Sequence, residues 1–302
     1  MFLEWVYPLR EYFFVFNVVK YITFRASLAA VTAMVLAICM GPSVIRWLYG
    51  WKVGQPIRKE ECPPLYALHK SKEGTPTMGG VLILLTVVIT TVLWADMSNR
   101  NIQLVLLATL WLGLLGFWDD CAKIKNKSPR GIRPMVKFLG QVLLGVLVWG
   151  FMVLHPKMSP YAAKLTFPFF KDWVFDMGAW SLPFLLLVLV GSSNAVNLTD
   201  GLDGLAIGCV VIAALAMGIM SYAVGHMTFA RYLQMLYIPG SGELTVFCAA
   251  IVGAGLGFLW YNGYPAQVFM GDTGSLSLGG ALGMVAILTK KELVLPFVGG
   301  IL

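Results

Sequence analysis

The sequence predicts an all-α polytopic membrane protein, and its composition and its apolar runs support this fold class. Hydrophobic residues make up 58% of the 302 residues and charged residues only 12%, which does not suit a water-facing surface. Uncharged runs recur along the chain, and each approaches the roughly 20 residues that a helix needs to cross a bilayer. We therefore expect most of this chain to be surrounded by membrane lipid.

Eight runs are long enough to be complete transmembrane helices. They are Ala26–Ile45, Met78–Ala95, Asn101–Trp118, Phe138–Leu154, Met177–Thr199, Leu205–Gly225, Leu244–Tyr261 and Thr273–Thr289. A ninth begins at Leu293 and reaches Leu302 without a charged anchor, which predicts a C-terminally truncated chain that continues naturally. Residues 1–21 lack a signal-peptide cleavage pattern and are expected to lie along the interface, and 161–176 are expected to form a short outer hairpin.

Two basic loops set the predicted orientation, because positive charge accumulates on the cytoplasmic side of membrane proteins. Their residues are Arg46, Lys52, Arg58, Lys59, Lys70 and Lys72 in the first, and Lys123, Lys125, Lys127, Arg130, Arg133 and Lys137 in the second. This assignment puts the N-terminus outside and makes the loops at 191–204 and 262–274 cytoplasmic. The net charge of +7 lies beside spans, so anionic membrane lipids and phosphates are expected partners, and nucleic acid is not.

The cysteines and histidines do not indicate a metal centre. The five cysteines form no CxxC pair, and the three histidines are scattered singly. Zinc binding and a disulfide framework are therefore both disfavoured.

Five aspartates lie where predicted spans meet the cytoplasmic face: Asp119, Asp120, Asp200, Asp203 and Asp272. A single acid there would simply be solvated, but carboxylates gathered at one depth are costly unless a cation compensates them. Magnesium fits, since it prefers one or two carboxylates together with substrate phosphate oxygens. Lys123 follows Asp119 by four residues and would share its helix face, holding phosphate or pairing with the acid.

Two further segments carry polar groups between apolar spans. In Asn194–Gly204, Gly201 and Gly204 allow close approach of a ligand, while Asp203 could instead cap the next helix. In Phe269–Ser275, the amides of a helix start suit a phosphate, Asp272 could hold its metal, and Phe269 could stack on a base or belong to the core. The glycine-rich Gly74–Gly80, after Lys72, is either a phosphate contact or a helix-entry turn.

Five motifs together resemble the phospho-N-acetylmuramoyl-pentapeptide transferase (MraY) family of the polyprenyl-phosphate N-acetylhexosamine-1-phosphate transferases. They are GTPTMGG at 74–80, DDCAK at 119–123, PFFKD at 168–172, NAVNLTDGLDGLA at 194–206 and YPAQVFMGDTGSLSLGG at 264–280. The resemblance spans nearly the whole chain and implies one transmembrane transferase domain, 1–302, of a ten-helix fold. It also implies a homodimer in the bacterial cytoplasmic (inner) membrane.

The implied reaction moves phospho-MurNAc-pentapeptide from UDP-MurNAc-pentapeptide to undecaprenyl phosphate, giving lipid I and UMP with Mg²⁺ as cofactor. The resemblance implies catalytic roles for Asp119, Asp120 and Asp272, with Asp272 as metal ligand. It implies a uridine pocket made of Lys72, Gly201, Leu202, Asp203, Asn262 and Phe269. It also implies neighbouring residues on the phosphate side, namely Lys123, Lys137, Asn197 and Asp200. At position 121 this chain has cysteine, where the family commonly has tyrosine. The family's histidine-rich motif is not within residues 1–302.

Several alternatives stay open at this stage. An aspartate of the 119/120 pair could deprotonate or align the lipid phosphate, or it could attack first and form a covalent intermediate. The substrate could be UDP-N-acetylglucosamine. A cation or proton transporter also needs membrane acids, although transporters tend to place them in mid-span at broken helices. The short C-terminus would suit an inactive scaffold.

Overall fold

The computed structural model describes residues 14–50, 75–126, 131–168, 170 and 173–298, and it is a helical bundle. Its eight main helices are α1 (Ile22–Gly50), α2 (Gly80–Trp94), α3 (Arg100–Lys125), α4 (Pro134–Leu154), α5 (Ser181–Thr199), α6 (Leu205–Gly225), α7 (Leu244–Asn262) and α8 (Gly271–Thr289). Short helical segments lie at Phe14–Lys20, Ser159–Ala162, Gly178–Trp180, Met227–Tyr232, Ser241–Glu243 and Leu295–Val298.

The helices confirm the predicted class of polytopic α-helical membrane protein. Within the described ranges, seven helices are long and apolar enough to cross a membrane, and α2, at 15 residues, is shorter. Each of the eight predicted spans overlaps one of α1–α8. The exact number of crossings and the outside position of the N-terminus stay predictions, and the predicted ninth run is described only as far as residue 298.

The expected hairpin is present and is the small exception to an all-α fold, while its position on the outer face stays a prediction. β1 (Lys164–Thr166) and β2 (Val174–Asp176) pair antiparallel, with Leu165 opposite Phe175. The hairpin connects α4 to α5, at the end of the bundle away from Asp119.

α3 is longer than its predicted span, which ended at Trp118. The helix continues through Asp119 and Asp120 to Lys125. Span prediction stops at the first charges, but at a membrane face the helix can continue wherever partners compensate those charges. The extension places Asp119 and Lys123 one turn apart, as predicted.

α8 lies at the centre of the bundle and positions the site. Every residue from Thr273 to Thr289 is buried, and α8 packs mainly against α3 and α5. Small residues permit this enclosure: a side chain at Gly279 would meet the backbone of Ser192, and one at Gly280 would meet Leu112. α7 packs in the same way against α1 and α6.

The start of α8 is joined to the start of α2 by backbone hydrogen bonds. Gly79 N donates to Phe269 O and Gly80 N donates to Met270 O, each at 2.8 Å. A Cβ at Gly80 would collide with the backbone of Gly274. The described part of the glycine-rich segment is thus a helix-entry turn in which the amides of Gly79 and Gly80 are bonded within the chain, and its contact with phosphate stays a prediction.

The other end of the bundle is fastened by a buried ion pair. Arg25 of α1 donates to both carboxylate oxygens of Glu243, which precedes α7, at 2.7 and 2.5 Å. Glu243 also accepts from the backbone N–H of Asp96 at 3.0 Å, and Arg25 donates to Trp94 O at 3.1 Å. One network therefore joins the ends of three helices.

We predict that Gly80→Ala destabilises the protein by about 1–3 kcal/mol, because the added methyl overpacks the contact between α2 and α8. The matched control is Gly208→Ala in α6, where a Cβ meets nothing within 4 Å. That change should be neutral or slightly stabilising. Unfolding free energies in mixed detergent micelles provide the measurement, and equal values for the two variants would contradict the packing argument.

Candidate active site

Three carboxylates from two helices converge at one end of the bundle. Asp119 and Asp120 lie on the last turns of α3, and Asp272 lies on the first turn of α8. Their side-chain oxygens lie within 4.8 Å of one another, and Asp119 and Asp120 are each 2% exposed. The predicted convergence of the acids at 119, 120 and 272 is therefore present.

Asp120 is fixed by the first turn of α8. It accepts hydrogen bonds from Asp272 N at 3.2 Å, Thr273 N at 2.9 Å and Thr273 Oγ1 at 2.7 Å. The positive end of the α8 dipole further stabilises this carboxylate.

Asp200 completes the cap on α8. Its Oδ2 accepts from Gly271 N at 3.2 Å. The expectation that these amides are free for a phosphate is wrong, since carboxylates of the chain itself occupy them. Burial raises the pKa of Asp200 to about 7, and the nearby negative charges of Asp272 and Asp120 act in the same direction.

Two lysines compensate the acids. Lys123 Nζ lies 2.7 Å from Asp119 and 2.8 Å from Asp272, while Lys137 Nζ of α4 lies 2.5 Å from Asp272 and 3.3 Å from Asp119. Two cations thus face three carboxylates, which leaves one formal negative charge if all five groups are ionised. The site combines a demand for positive charge with ammonium groups able to bind phosphate.

Asp119 joins α3 to the segment before α4 and to both lysines. Its Oδ1 accepts from Ile132 N at 2.9 Å. Its Oδ2 is buried and lies 2.7 Å from Lys123 Nζ and 3.3 Å from Lys137 Nζ. A proton or a cation on this oxygen would therefore take the place of these ammonium groups.

The donor set fits a hard divalent cation. Magnesium binds carboxylate oxygens and keeps several positions for water or phosphate. The three clustered carboxylates provide such donors. Lys123 and Lys137 already bind the same oxygens, so a cation there would release them toward a phosphate.

A cavity of about 770 Å³ opens beside the acids. Its lining includes the charged residues Asp119, Lys123, Lys137 and Asp272, and also Asn197. Asn197 Oδ1 accepts from Ser275 Oγ at 2.7 Å, so the predicted neighbour Asn197 is fixed to α8. The volume and the charged wall suit a large phosphorylated ligand.

Two of the predicted uridine residues, Asn262 and Asp203, bond the loop that precedes α8. Asn262, buried at the end of α7, accepts from Gly204 N at 3.0 Å and donates to Val268 O at 2.8 Å. Asp203 accepts from Ala266 N at 3.2 Å, so it binds this loop and does not supply the side-chain cap of α6. The cap interpretation of Asp203 is therefore wrong.

The remaining uridine residues differ in accessibility. Gly201 and Leu202 are exposed, with Leu202 63% exposed, and Phe269 is half-buried. Lys72 lies outside the described residues. The nucleotide role of the whole set stays a prediction.

Three further polar residues were not assigned to the site from the sequence. Gln141 is buried in the cavity wall, where it donates to Ser193 Oγ at 2.9 Å and accepts from Asn194 Nδ2 at 3.2 Å. Gln141 follows Lys137 by four residues and Asn194 precedes Asn197 by three, so helical spacing could have indicated both. Nothing local indicated Thr273, because its partner Asp120 is distant in sequence.

Comparison with known proteins identifies the family of this chain. A model described as glycosyl transferase family 4 matches residues 102–290, and signature 1 of phospho-N-acetylmuramoyl-pentapeptide-transferase matches residues 72–84. The chain therefore belongs to glycosyl transferase family 4, and its apolar helices are those of a polytopic membrane protein.

Curated relatives narrow the assignment. Proteins named phospho-N-acetylmuramoyl-pentapeptide-transferase from Solidesulfovibrio magneticus and Pelobacter propionicus are 50% and 52% identical to this chain. The alignments cover 97% and 98% of this chain and 80% and 81% of the relatives. A third, from Thermodesulfovibrio yellowstonii, is 49% identical over 100% of this chain and 82% of its own length. The chain belongs to the phospho-N-acetylmuramoyl-pentapeptide-transferase family.

We predict that Lys137→Met lowers the unfolding free energy by about 1–3 kcal/mol in the presence of a metal chelator, because it leaves the acids undercompensated. Adding Asp272→Asn should restore part of the loss, since the double variant removes the unpaired charge as well. Lys157→Met, at an exposed lysine near the opposite end of the bundle, is the control. Strictly additive effects of Lys137→Met and Asp272→Asn would rule out the inferred charge compensation.

Proposed function

We propose that this protein transfers phospho-MurNAc-pentapeptide from UDP-MurNAc-pentapeptide to undecaprenyl phosphate, releasing UMP and forming lipid I for peptidoglycan synthesis. The main structural support is the Asp119–Asp120–Asp272 cluster with two lysines at the wall of a large cavity. The names of the curated relatives supply the substrate assignment.

The lysines would hold the phosphates of both substrates. Phosphoryl transfer depends mostly on positioning and on neutralising charge. Lys123 and Lys137 reach the same carboxylates from different helices, so their ammonium groups can move together onto an incoming anion. Binding of a negatively charged substrate would then replace interactions within the chain by interactions with the substrate.

Asp119 is the acid of the pair that lines the cavity. Asp120 uses both oxygens to cap α8, whereas Asp119 Oδ2 is held by the Lys123 and Lys137 ammonium groups, which can move to a bound phosphate. We therefore assign Asp119 to remove the residual proton of the lipid phosphate, and Asp120 to position Asp272. This division favours direct attack by the lipid phosphate over a covalent intermediate on Asp120.

Asp272, with Asp119 beside it, would hold Mg²⁺. When bound, the ion would neutralise charge on the pyrophosphate and on the departing UMP. The clustered oxygens support this proposal because they match the donors that magnesium prefers.

The nucleotide would lie toward the loop before α8, where Asp203, Asn262 and Phe269 are held. Asn262 uses its amide oxygen and nitrogen to fix the loop, which preorganises the neighbouring residues. Phe269 offers a ring for stacking and Asp203 a carboxylate for a uracil N–H. UDP-N-acetylglucosamine is the competing substrate, and UMP release from each nucleotide sugar distinguishes the two.

The position of the acids favours the transferase over the transporter alternative. They lie at the ends of α3 and α8 and not at the middle of a broken span.

Because of the two basic loops, we place this end of the bundle on the cytoplasmic face of a bacterial inner membrane. The same orientation puts the N-terminus outside. The homodimer implied by the resemblance stays a prediction.

We predict that Asp272→Asn lowers Mg²⁺-dependent UMP release by about 100-fold or more, because the change removes charge at the proposed cation site. Asp176→Asn, on exposed β2, is the matched control and should retain activity. Both variants should remain folded in detergent. Turnover close to wild type in Asp272→Asn at saturating Mg²⁺ would refute the metal assignment.

We also predict that Phe269→Ala and Asp203→Ala each raise the apparent KM for the nucleotide sugar roughly five- to 150-fold. Losing a stacking contact or a desolvated hydrogen bond costs about 1–3 kcal/mol. The KM for undecaprenyl phosphate should change little, and Phe229→Ala, at the opposite end of the bundle, is the control. A rise confined to the lipid substrate would reverse the proposed orientation of the cleft.

A further inference from the structure

A second cavity, of about 310 Å³, lies at the end of the bundle opposite the aspartates. It is lined by the α2–α3 and α6–α7 connections and by residues at and after the C-terminal ends of α4 and α8. The reaction described above uses none of its residues. Its volume is that of about ten water molecules at about 30 Å³ each, which leaves room for a phosphate with attached ester groups.

The wall of this second cavity is predominantly basic. Arg100, Lys157 and Lys290 line it from three parts of the fold. Among the described residues that line the cavity, the acidic side chain is that of Asp96. The Oδ1 atom of Asp96 already accepts hydrogen bonds from Ser98 N at 2.9 Å and Ser98 Oγ at 2.7 Å. The cavity therefore has positive charge that its own walls do not balance.

Lys290 is the buried element of this wall. The residue is 3% exposed, and its ammonium lies 3.3 Å from Ala162 O and 3.4 Å from Glu292 Oε1, both long for hydrogen bonds to a cation. Burying an ammonium is costly unless its donors are well satisfied. A close anion in the cavity would supply the interaction that these two long contacts do not.

The two residues that follow Lys290 leave its positive charge unchanged in sum. Lys291 and Glu292 are also buried and carry opposite formal charges, so the three consecutive side chains keep a formal charge of +1. Burial raises the pKa of the Glu292 carboxyl and lowers that of Lys291, with each shift opposed by the neighbouring charges. Arg100 and Lys157, both exposed, extend this charge to the rim.

We propose that this second cavity is an anion site that binds a phosphate group, either the phosphodiester headgroup of an anionic membrane lipid or free phosphate. Lysine and arginine side chains bind phosphate oxygens through charge-assisted hydrogen bonds, whether the phosphate belongs to a lipid or is free. Lys290 meets the anion from the buried side, while Arg100 and Lys157 bind it from the rim.

Binding of phosphatidylglycerol to the detergent-solubilised protein, counted by native mass spectrometry against phosphatidylcholine, tests the lipid arm. Inorganic phosphate, titrated while the thermal unfolding midpoint is followed, tests the free-phosphate arm. The variant is Arg100→Gln/Lys157→Gln, which changes two exposed side chains and leaves Lys290 in place. The control is Arg231→Gln, an exposed arginine near the same end that does not line the cavity.

For the wild type we expect tighter binding of phosphatidylglycerol than of phosphatidylcholine, or a rise in the unfolding midpoint with phosphate. In the Arg100→Gln/Lys157→Gln variant, the affinity for whichever ligand binds the wild type should fall about fivefold for each charge removed, and the control should keep the wild-type affinity.

Preference for phosphatidylglycerol identifies a lipid site, and a response to phosphate alone identifies a soluble-anion site. Binding that is equal for both lipids and unresponsive to phosphate, or an equal loss in the rim variant and the control, overturns the proposal. UMP release should be unchanged in the rim variant, so the result is independent of the proposed reaction.

Discussion

The site depends on one interaction, the capping of α8 by carboxylates from α3 and from the end of α5. The first amides of a helix have no partner within the helix, and at this depth they cannot remain unbonded. Asp120 and Asp200 bond three successive amides, Gly271, Asp272 and Thr273. Because these bonds set the position of the first turn of α8, they also set the position of the Asp272 side chain relative to Asp119.

The neighbouring backbone makes this capping geometrically possible. Gly79 and Gly80 bring the start of α2 into hydrogen-bond contact with residues 269 and 270. On the other side, a side chain at Gly116 would collide with the carbonyl of Asp272. The acids are thus brought together by close approach of backbones, and the two lysines then compensate the charge that this approach concentrates.

The sequence was sufficient for the class of fold, the extents of most helices and the convergence of the acids, because apolar runs and charges at their ends are local signals. It was not sufficient for the distribution of roles among the acids. Asp120 and Asp200 were candidates for binding a cation or phosphate, yet both bond amides of α8, and Asp203 bonds Ala266 instead of capping α6. These partners are distant in sequence, and no periodicity encodes them. Gln141 was recoverable in principle, since it lies one helical turn from Lys137.

The enclosure of α8 has a consequence for how the protein is made. Its candidate span is 94% buried inside the bundle and is the least apolar of the seven candidate spans in the described ranges, with glycine and serine where other spans have leucine and valine. Such a segment gains little from contact with lipid alone. During biosynthesis it would partition into the membrane stably only once α3 and α5 are already present to receive it, so the helix that carries Asp272 is the one whose integration depends most on earlier parts of the chain.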